Sequence, residues 1–193
     1  MEDMVRFIVA WWFKHFGRGS SDLITYIHIN IVECCTNVSK KKIQRSADWH
    51  PPLPHTLKFN VDSSAMGSPS LAGIGGVLRD HRGKVVCIFS ESIGIHDAIS
   101  AKILVIDKTC VLFASRLDLS DRNLVVVSDS RVVIKWLNNN GIGSIEHAQT
   151  ILNIRSNLAV IGQASVCFGP RNSNSFADAL ARKNSEDGDG MLF

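Results

Sequence analysis

The stretch that decides the fold is the hexapeptide Phe59-Asn60-Val61-Asp62-Ser63-Ser64. Together with Leu57 it alternates apolar and polar side chains with a period of two, which predicts a β-strand with one buried face. Asp62 follows the last apolar residue of this pattern, so we expect it to close the strand. The small residues from 65 to 70, with Gly67 and Pro69 among them, then predict a turn.

The pattern continues through the rest of the chain as a regular series of elements. The predicted order is three strands (57–62, 72–79, 84–90), a helix (99–113), a strand (124–127), two helices (132–137, 145–161), a strand (164–168) and a last helix (175–182). The run Leu124–Val127 is continuously apolar, as expected of a strand that is covered on both faces. Hairpin strands followed by alternating helices and strands predict an α/β fold, a mixed sheet flanked by helices.

Composition limits the class of protein and the number of domains. With 193 residues, of which 45% are hydrophobic and 20% charged, the chain has room for one globular domain and an extension. Three prolines between Pro51 and Pro54 predict a linker. We therefore divide the chain into an N-terminal extension with this linker (1–56), whose fold the sequence does not predict, a domain (57–184) and a disordered acidic tail (185–193).

Charge and cysteine content leave several environments open. The net charge of +3 neither requires nor excludes a nucleic-acid partner. Five cysteines without a CxxC pair indicate neither a disulfide framework nor a zinc site, and favour an intracellular location, nuclear or cytoplasmic. The apolar run 4–13 is too short to span a bilayer. We expect a monomer with no membrane contact and no small-molecule cofactor.

Three aspartates are candidates for chemistry. Asp62 and Asp129 each follow a predicted strand, and strand ends are where ligands meet an α/β sheet. Asp178 lies in the small apolar helical segment Phe176–Ala181. Each residue alone is more often a helix cap or a surface residue, but clustered carboxylates repel each other unless a divalent cation neutralises them.

Five blocks of the chain together resemble the ribonuclease-H-like domain family. The closest resemblance is to its plant branch, related to the ribonuclease H domain of non-LTR retrotransposon reverse transcriptases. The blocks are Phe59–Ser64, Ala72–Asp80, Val127–Ser130, Pro170–Asn172 and Ala177–Ala181. The resemblance implies a five-stranded mixed sheet, with three antiparallel hairpin strands and two parallel strands. It also implies two Mg²⁺ (or Mn²⁺) ions on an Asp-Glu-Asp-Asp set, which hydrolyse the RNA strand of an RNA–DNA hybrid.

By this resemblance Asp62, Asp129 and Asp178 are catalytic, metal-binding positions. The expected glutamate of the first helix is replaced by Lys102. An ammonium repels a dication where a carboxylate attracts it, so we expect metal binding to be weakened. Asp97 and Asp107 point about 140° away from Lys102 on a helix and are not ready substitutes.

Further polar residues are candidates for contact with nucleic acid. Ser63 and Ser64 could touch a phosphate or a ribose hydroxyl, or could simply form a turn, and Asn172 belongs to one of the family blocks. The sequence thus favours a nucleic-acid-binding domain of the hybrid ribonuclease family with impaired catalysis. Two alternatives stay open: an active divalent-metal-dependent endoribonuclease, and a non-enzymatic, retrotransposon-derived interaction module.

Overall fold

The computed structural model describes residues 49–65, 67, 69–116 and 119–187. The N-terminal apolar run, most of the predicted extension and the last six residues lie outside these described residues. No helix in the described ranges combines the length and the apolar content that crossing a membrane requires.

Five strands form one mixed sheet, as predicted. The strands are β1 (Thr56–Ala65), β2 (Ser70–Arg79), β3 (Val85–His96), β4 (Asn123–Ser128) and β5 (Ala164–Phe168). The helices are α1 (Ala98–Ala114), α2 (Arg131–Asn138), α3 (Ile145–Ile161) and α4 (Ser175–Asp187), and a short 3-10 helix covers Arg171–Asn174. The order in the sheet is β3-β2-β1-β4-β5. β1 pairs antiparallel to β2 and β2 to β3, whereas β1–β4 and β4–β5 are parallel.

The core lies between the sheet and helix α1. Phe59 and Phe89 are fully buried there with their rings edge to face, 5.6 Å apart between centroids. Ile103, Ile106 and other apolar residues of α1 belong to the same cluster. Helix α3 packs on α1. Burial of one apolar stripe of each helix, rather than helix propensity alone, is what holds these elements in place.

Helix α4 packs against the other face of the sheet at two adjacent glycines of β2. A Cβ atom on Gly76 would lie 2.4 Å from a ring carbon of Phe89, on the core side. A Cβ on Gly75 would lie 2.7 Å from the backbone nitrogen of Ala181 in α4. Neighbouring residues of a strand face opposite sides, so α4 covers the face opposite the core. The absence of a side chain at Gly75 lets the helix that carries Asp178 approach the backbone of the sheet.

Three boundaries differ from the sequence-based prediction. β1 continues to Ala65, so Asp62 lies within the strand instead of closing it. β3 continues six residues beyond the predicted end, to His96, because this segment pairs with the start of β2. The disordered tail was predicted to begin at residue 185, but α4 runs to Asp187.

Candidate functional site

The parallel pairing of β1 and β4 brings Asp62 and Asp129 to the same level. Asn60 lies opposite Val127 in this pair, and each aspartate comes two residues further along the chain. Asp129 follows β4 directly, and Ser130 then caps α2 with its hydroxyl on the backbone N–H of Val133. The sheet register, and not local sequence, therefore brings these two carboxylates together.

The Lys102 ammonium lies between the two carboxylates. It donates a hydrogen bond to Oδ1 of Asp62 and another to Oδ1 of Asp129. The three side chains are 15%, 5% and 7% exposed, respectively. Lys102 therefore contacts both aspartates directly, and its single positive charge offsets one of their two negative charges.

Arg171 is a second cation at this site, and the sequence reasoning did not single it out. Its Nε donates to Oδ2 of Asp129 at 3.0 Å, while its side chain is 88% exposed. Asp129 therefore accepts hydrogen bonds from one buried cation and one exposed cation. The only signal in the sequence was the position of Arg171 within one of the five family blocks.

The two central carboxylates differ in acidity. Burial raises the pKa of Asp62 above its ordinary value, although the charge and hydrogen bond of Lys102 act in the opposite direction. Burial also acts to raise the pKa of Asp129, but hydrogen bonds and charge from Lys102 and Arg171 outweigh it and hold that pKa below its ordinary value. Asp62 is therefore the first of the pair to take up a proton as the pH falls.

Asp178 stands apart from this pair. It lies on α4, where it accepts a two-pronged ion pair from Arg182 one turn later, with both distances 3.0 Å. Its charge reaches Arg171, whose pKa is raised first by Asp129 and also by Asp62 and Asp178. In the described part of the chain, no three His, Cys, Asp or Glu side chains are grouped closely enough to hold a metal ion.

The remaining predicted site residues surround Asp62 and Asp129. The backbone N–H of Ser63 donates to Oδ1 of Asp62 at 2.7 Å, and Ser64 is half-buried on the same strand. Asn172 is exposed in the 3-10 helix, next to Arg171. Asp97 is committed elsewhere, since its carboxylate caps α1 by accepting from the N–H groups of Ile99 and Ser100.

A buried amide network fixes the segment that carries Arg171. Asn174 is 1% exposed and donates from Nδ2 to the carbonyl of Val61 at 3.0 Å, next to Asp62. Its Oδ1 accepts from Nδ2 of Asn60 at 2.7 Å, and Oδ1 of Asn60 accepts from the indole of Trp49 at 2.9 Å. Sequence reasoning named Asn172 and missed Asn174, because only tertiary contacts distinguish these two asparagines.

We expect Asn174→Ala to destabilise the domain by about 2–3 kcal/mol, because it removes the buried hydrogen bonds that Asn174 makes with Nδ2 of Asn60 and with the carbonyl of Val61. Asn172→Ala, in the same short helix but exposed, is the matched control and should change stability by less than about 0.5 kcal/mol. Urea unfolding followed by circular dichroism measures both values. Equal changes in the free energy of unfolding for the two variants would contradict the prediction that the buried hydrogen bonds of Asn174 stabilise the domain.

Comparison with known proteins agrees with the fold described above. The family model described as reverse transcriptase-like matches residues 110–184. A ribonuclease H1 isolated from compost by a metagenomic approach superposes with a TM-score of 0.65 at 20% identity, over 69% of this chain and 98% of that one. The described part of the chain has the ribonuclease-H-like fold.

Two further proteins are similar to this ribonuclease-H-like domain. The structure of the same compost enzyme in complex with an RNA/DNA hybrid matches with a TM-score of 0.58 at 19% identity, over 66% of this chain and 95% of that one. A protein of Arabidopsis thaliana described as a ribonuclease H protein is 28% identical over 101 residues, which make up 52% of this chain. The chain spans only 14% of the length of that plant relative.

Proposed function

We propose that this ribonuclease-H-like domain binds nucleic acid without hydrolysing it and without a divalent metal ion. The observation that carries the proposal is the Lys102 ammonium, which is hydrogen-bonded to both Asp62 and Asp129. The fold supports the nucleic-acid class of ligand, since one solved structure with this fold holds an RNA/DNA hybrid.

The residues at the site do not fit Mg²⁺ or Mn²⁺. Such ions need several carboxylate, carbonyl or water oxygens arranged around one point. Here Oδ1 of Asp62 and Oδ1 of Asp129 accept hydrogen bonds from the ammonium of Lys102. Oδ2 of Asp129 accepts a hydrogen bond from Nε of Arg171. A dication at this point would have to displace one cation and would be repelled by both.

Pairing of the three candidate site aspartates also changes how this surface interacts with phosphate. The ion pairs are Asp62 and Asp129 with Lys102, Asp129 with Arg171, and Asp178 with Arg182. A group of bare carboxylates repels a polyanion unless metal ions screen it. In this domain the side chains themselves supply the neutralising charge, so a phosphate backbone can approach in the absence of metal.

Binding of a fluorescein-labelled RNA–DNA hybrid to the full chain tests this proposal. We expect the same Kd in EDTA and in Mg²⁺, an affinity that falls as salt rises because counterions are released, and no cleavage of the RNA strand. Asp129→Asn is the control for contaminating nuclease. Cleavage that this substitution abolishes would show an active enzyme, and a native chain that binds no hybrid at any salt would indicate an interaction module instead.

A further inference from the structure

Two arginines flank the neighbouring ends of β4 and β5. Ser128 and Phe168 are partners at the ends of these strands. The guanidinium carbon of Arg131, the first residue of α2, lies 4.1 Å from the centroid of the Phe168 ring. Arg171 follows three residues after Phe168 and is bonded to Asp129, which follows Ser128 directly. The two guanidinium groups are thus anchored on adjacent strand ends.

Each anchor leaves most of its guanidinium available to a ligand. In the described residues, the contact of Arg171 is made through Nε alone, which leaves the two terminal amino groups at a side chain that is 88% exposed. Arg131 is exposed, and its guanidinium carbon lies over the ring of Phe168. A cation–π contact of this kind is made with the face of the ring and uses none of the five N–H donors of the guanidinium as a hydrogen-bond donor to a carboxylate.

The anchors also reduce the cost of ordering these side chains. A free surface arginine loses rotamer freedom when it binds an anion. Arg171 is already held by a charge-assisted bond to Asp129, and Arg131 is already held by an aromatic ring. Pre-ordered guanidinium forks match the tetrahedral oxygens of phosphate in geometry and in charge.

We propose that Arg131 and Arg171 form a clamp for the phosphodiester backbone of nucleic acid, which takes over the attraction for phosphate that metal ions would otherwise provide. This inference rests on the proposed function and deepens it by naming the part of the nucleic acid that the site holds. Phe168 positions one arm of the clamp, and Asp129 positions the other.

Salt-dependent binding of a labelled RNA–DNA hybrid, measured by anisotropy in EDTA with the full chain, tests the clamp. Arg131→Ala and Arg171→Ala should each weaken binding by about fivefold to tenfold and lower the slope of log Kd against log salt by about one. Arg122→Ala is the matched control, because Arg122 precedes the opposite end of β4 and should change neither quantity.

Phe168→Leu separates positioning from charge. It removes the ring under Arg131 but keeps the arginine, so we expect weaker binding with an unchanged salt slope. Arg171→Lys keeps the positive charge but loses the planar guanidinium group. We expect its affinity for the hybrid to lie between those of the native chain and Arg171→Ala. Circular dichroism melts of each variant show that the domain is folded at the temperature of the assay.

The binding data distinguish failure of the clamp from failure of the proposed function. If the native chain binds the hybrid but neither arginine variant changes affinity or slope, the clamp is wrong and the proposed function stands. If Arg122→Ala weakens binding as much as Arg171→Ala, the loss of affinity reflects the overall positive charge of the protein, and the clamp is wrong. If the native chain does not bind at all, the proposed function fails and the clamp fails with it.

Discussion

Lys102→Glu is expected to bind a divalent cation more tightly than the native chain does. The substitution changes the local charge by two units beside Asp62 and Asp129, both of which already point at this position. Each unit charge interaction at about 4 Å is worth roughly 4 kcal/mol at an effective dielectric of 20. Even after strong screening, we expect affinity for Mn²⁺ to rise by at least about a hundredfold, which corresponds to roughly 2.7 kcal/mol.

Thermal unfolding with and without Mn²⁺ measures this gain independently of activity. The Lys102→Glu chain should melt below the native protein in EDTA, because three carboxylates then meet with Arg171 as their one remaining cationic contact among the described residues, and Mn²⁺ should restore its Tm. Lys102→Gln, which removes the ammonium without adding a carboxylate, is the matched control and should respond much less. We also expect RNA-strand cleavage of a hybrid only in Lys102→Glu. An equal Mn²⁺ effect on the native Tm would refute the prediction.

Lys102→Met is expected to lower the free energy of unfolding by about 2–3 kcal/mol at pH 7. Removing one member of a buried ion pair leaves uncompensated charge in a site of low dielectric. Here the variant would leave two buried carboxylates facing each other, since the side chains of Asp62 and Asp129 are only 5% and 7% exposed. The large, flexible methionine fills the volume of the lysine chain, so the loss reports charge rather than a cavity.

Urea unfolding across pH distinguishes this electrostatic loss from a packing defect. Asp62 has a folded pKa above its ordinary value, and removing Lys102 should raise that pKa further. A carboxyl with a raised folded pKa costs stability above that pKa, and the cost is relieved as the pH falls through it. The gap between native and Lys102→Met should therefore narrow toward acid pH.

Two further substitutions provide matched comparisons for Lys102→Met. Adding Asp62→Asn should recover much of the loss at pH 7, because it removes one of the two facing charges. Lys108→Met removes a more exposed ion pair to Glu91 from the same helix and should cost less than about 1 kcal/mol. A loss that does not depend on pH and that Asp62→Asn does not reduce would count against the ion-pair explanation.

The order and type of the elements could be predicted because each rests on a local pattern. The period of two around Phe59 and the apolar run before Ser128 are readable within a few residues, and both predicted segments are strands, although β1 extends further than predicted. The end of β3 was missed for the opposite reason. Residues 91–96 include a glycine, and only pairing with the start of β2 makes them a strand.

The partners of the site residues could not be predicted, because they join distant parts of the chain. Lys102 reaches Asp62 across 40 positions, Arg171 reaches Asp129 across 42, and Asn174 reaches Asn60 across 114. The family resemblance indicated that Lys102 stands near the carboxylates, and the expected consequence was repulsion of a metal. The structure adds that the ammonium satisfies those carboxylates, which only the register of β1 and β4 makes possible.

The N-terminal boundary of the domain also depends on contacts between residues that are distant in the sequence. The linker residue Trp49 was placed outside the domain that begins at Leu57, yet its indole bonds to Asn60 and its ring lies 5.2 Å from the guanidinium of Arg79. The prolines that follow Trp49 end local periodic structure but do not prevent this packing. An excised domain should therefore begin before residue 49.

The ion pairs of Lys102 also have a genetic consequence. Because the ammonium makes Asp62 and Asp129 useful to folding, natural selection for a stable protein is enough to retain both carboxylates, even without selection for RNA hydrolysis. Lysine and glutamate codons differ only in their first base. A gene that encodes this domain therefore stands a single point mutation away from the full set of acidic residues.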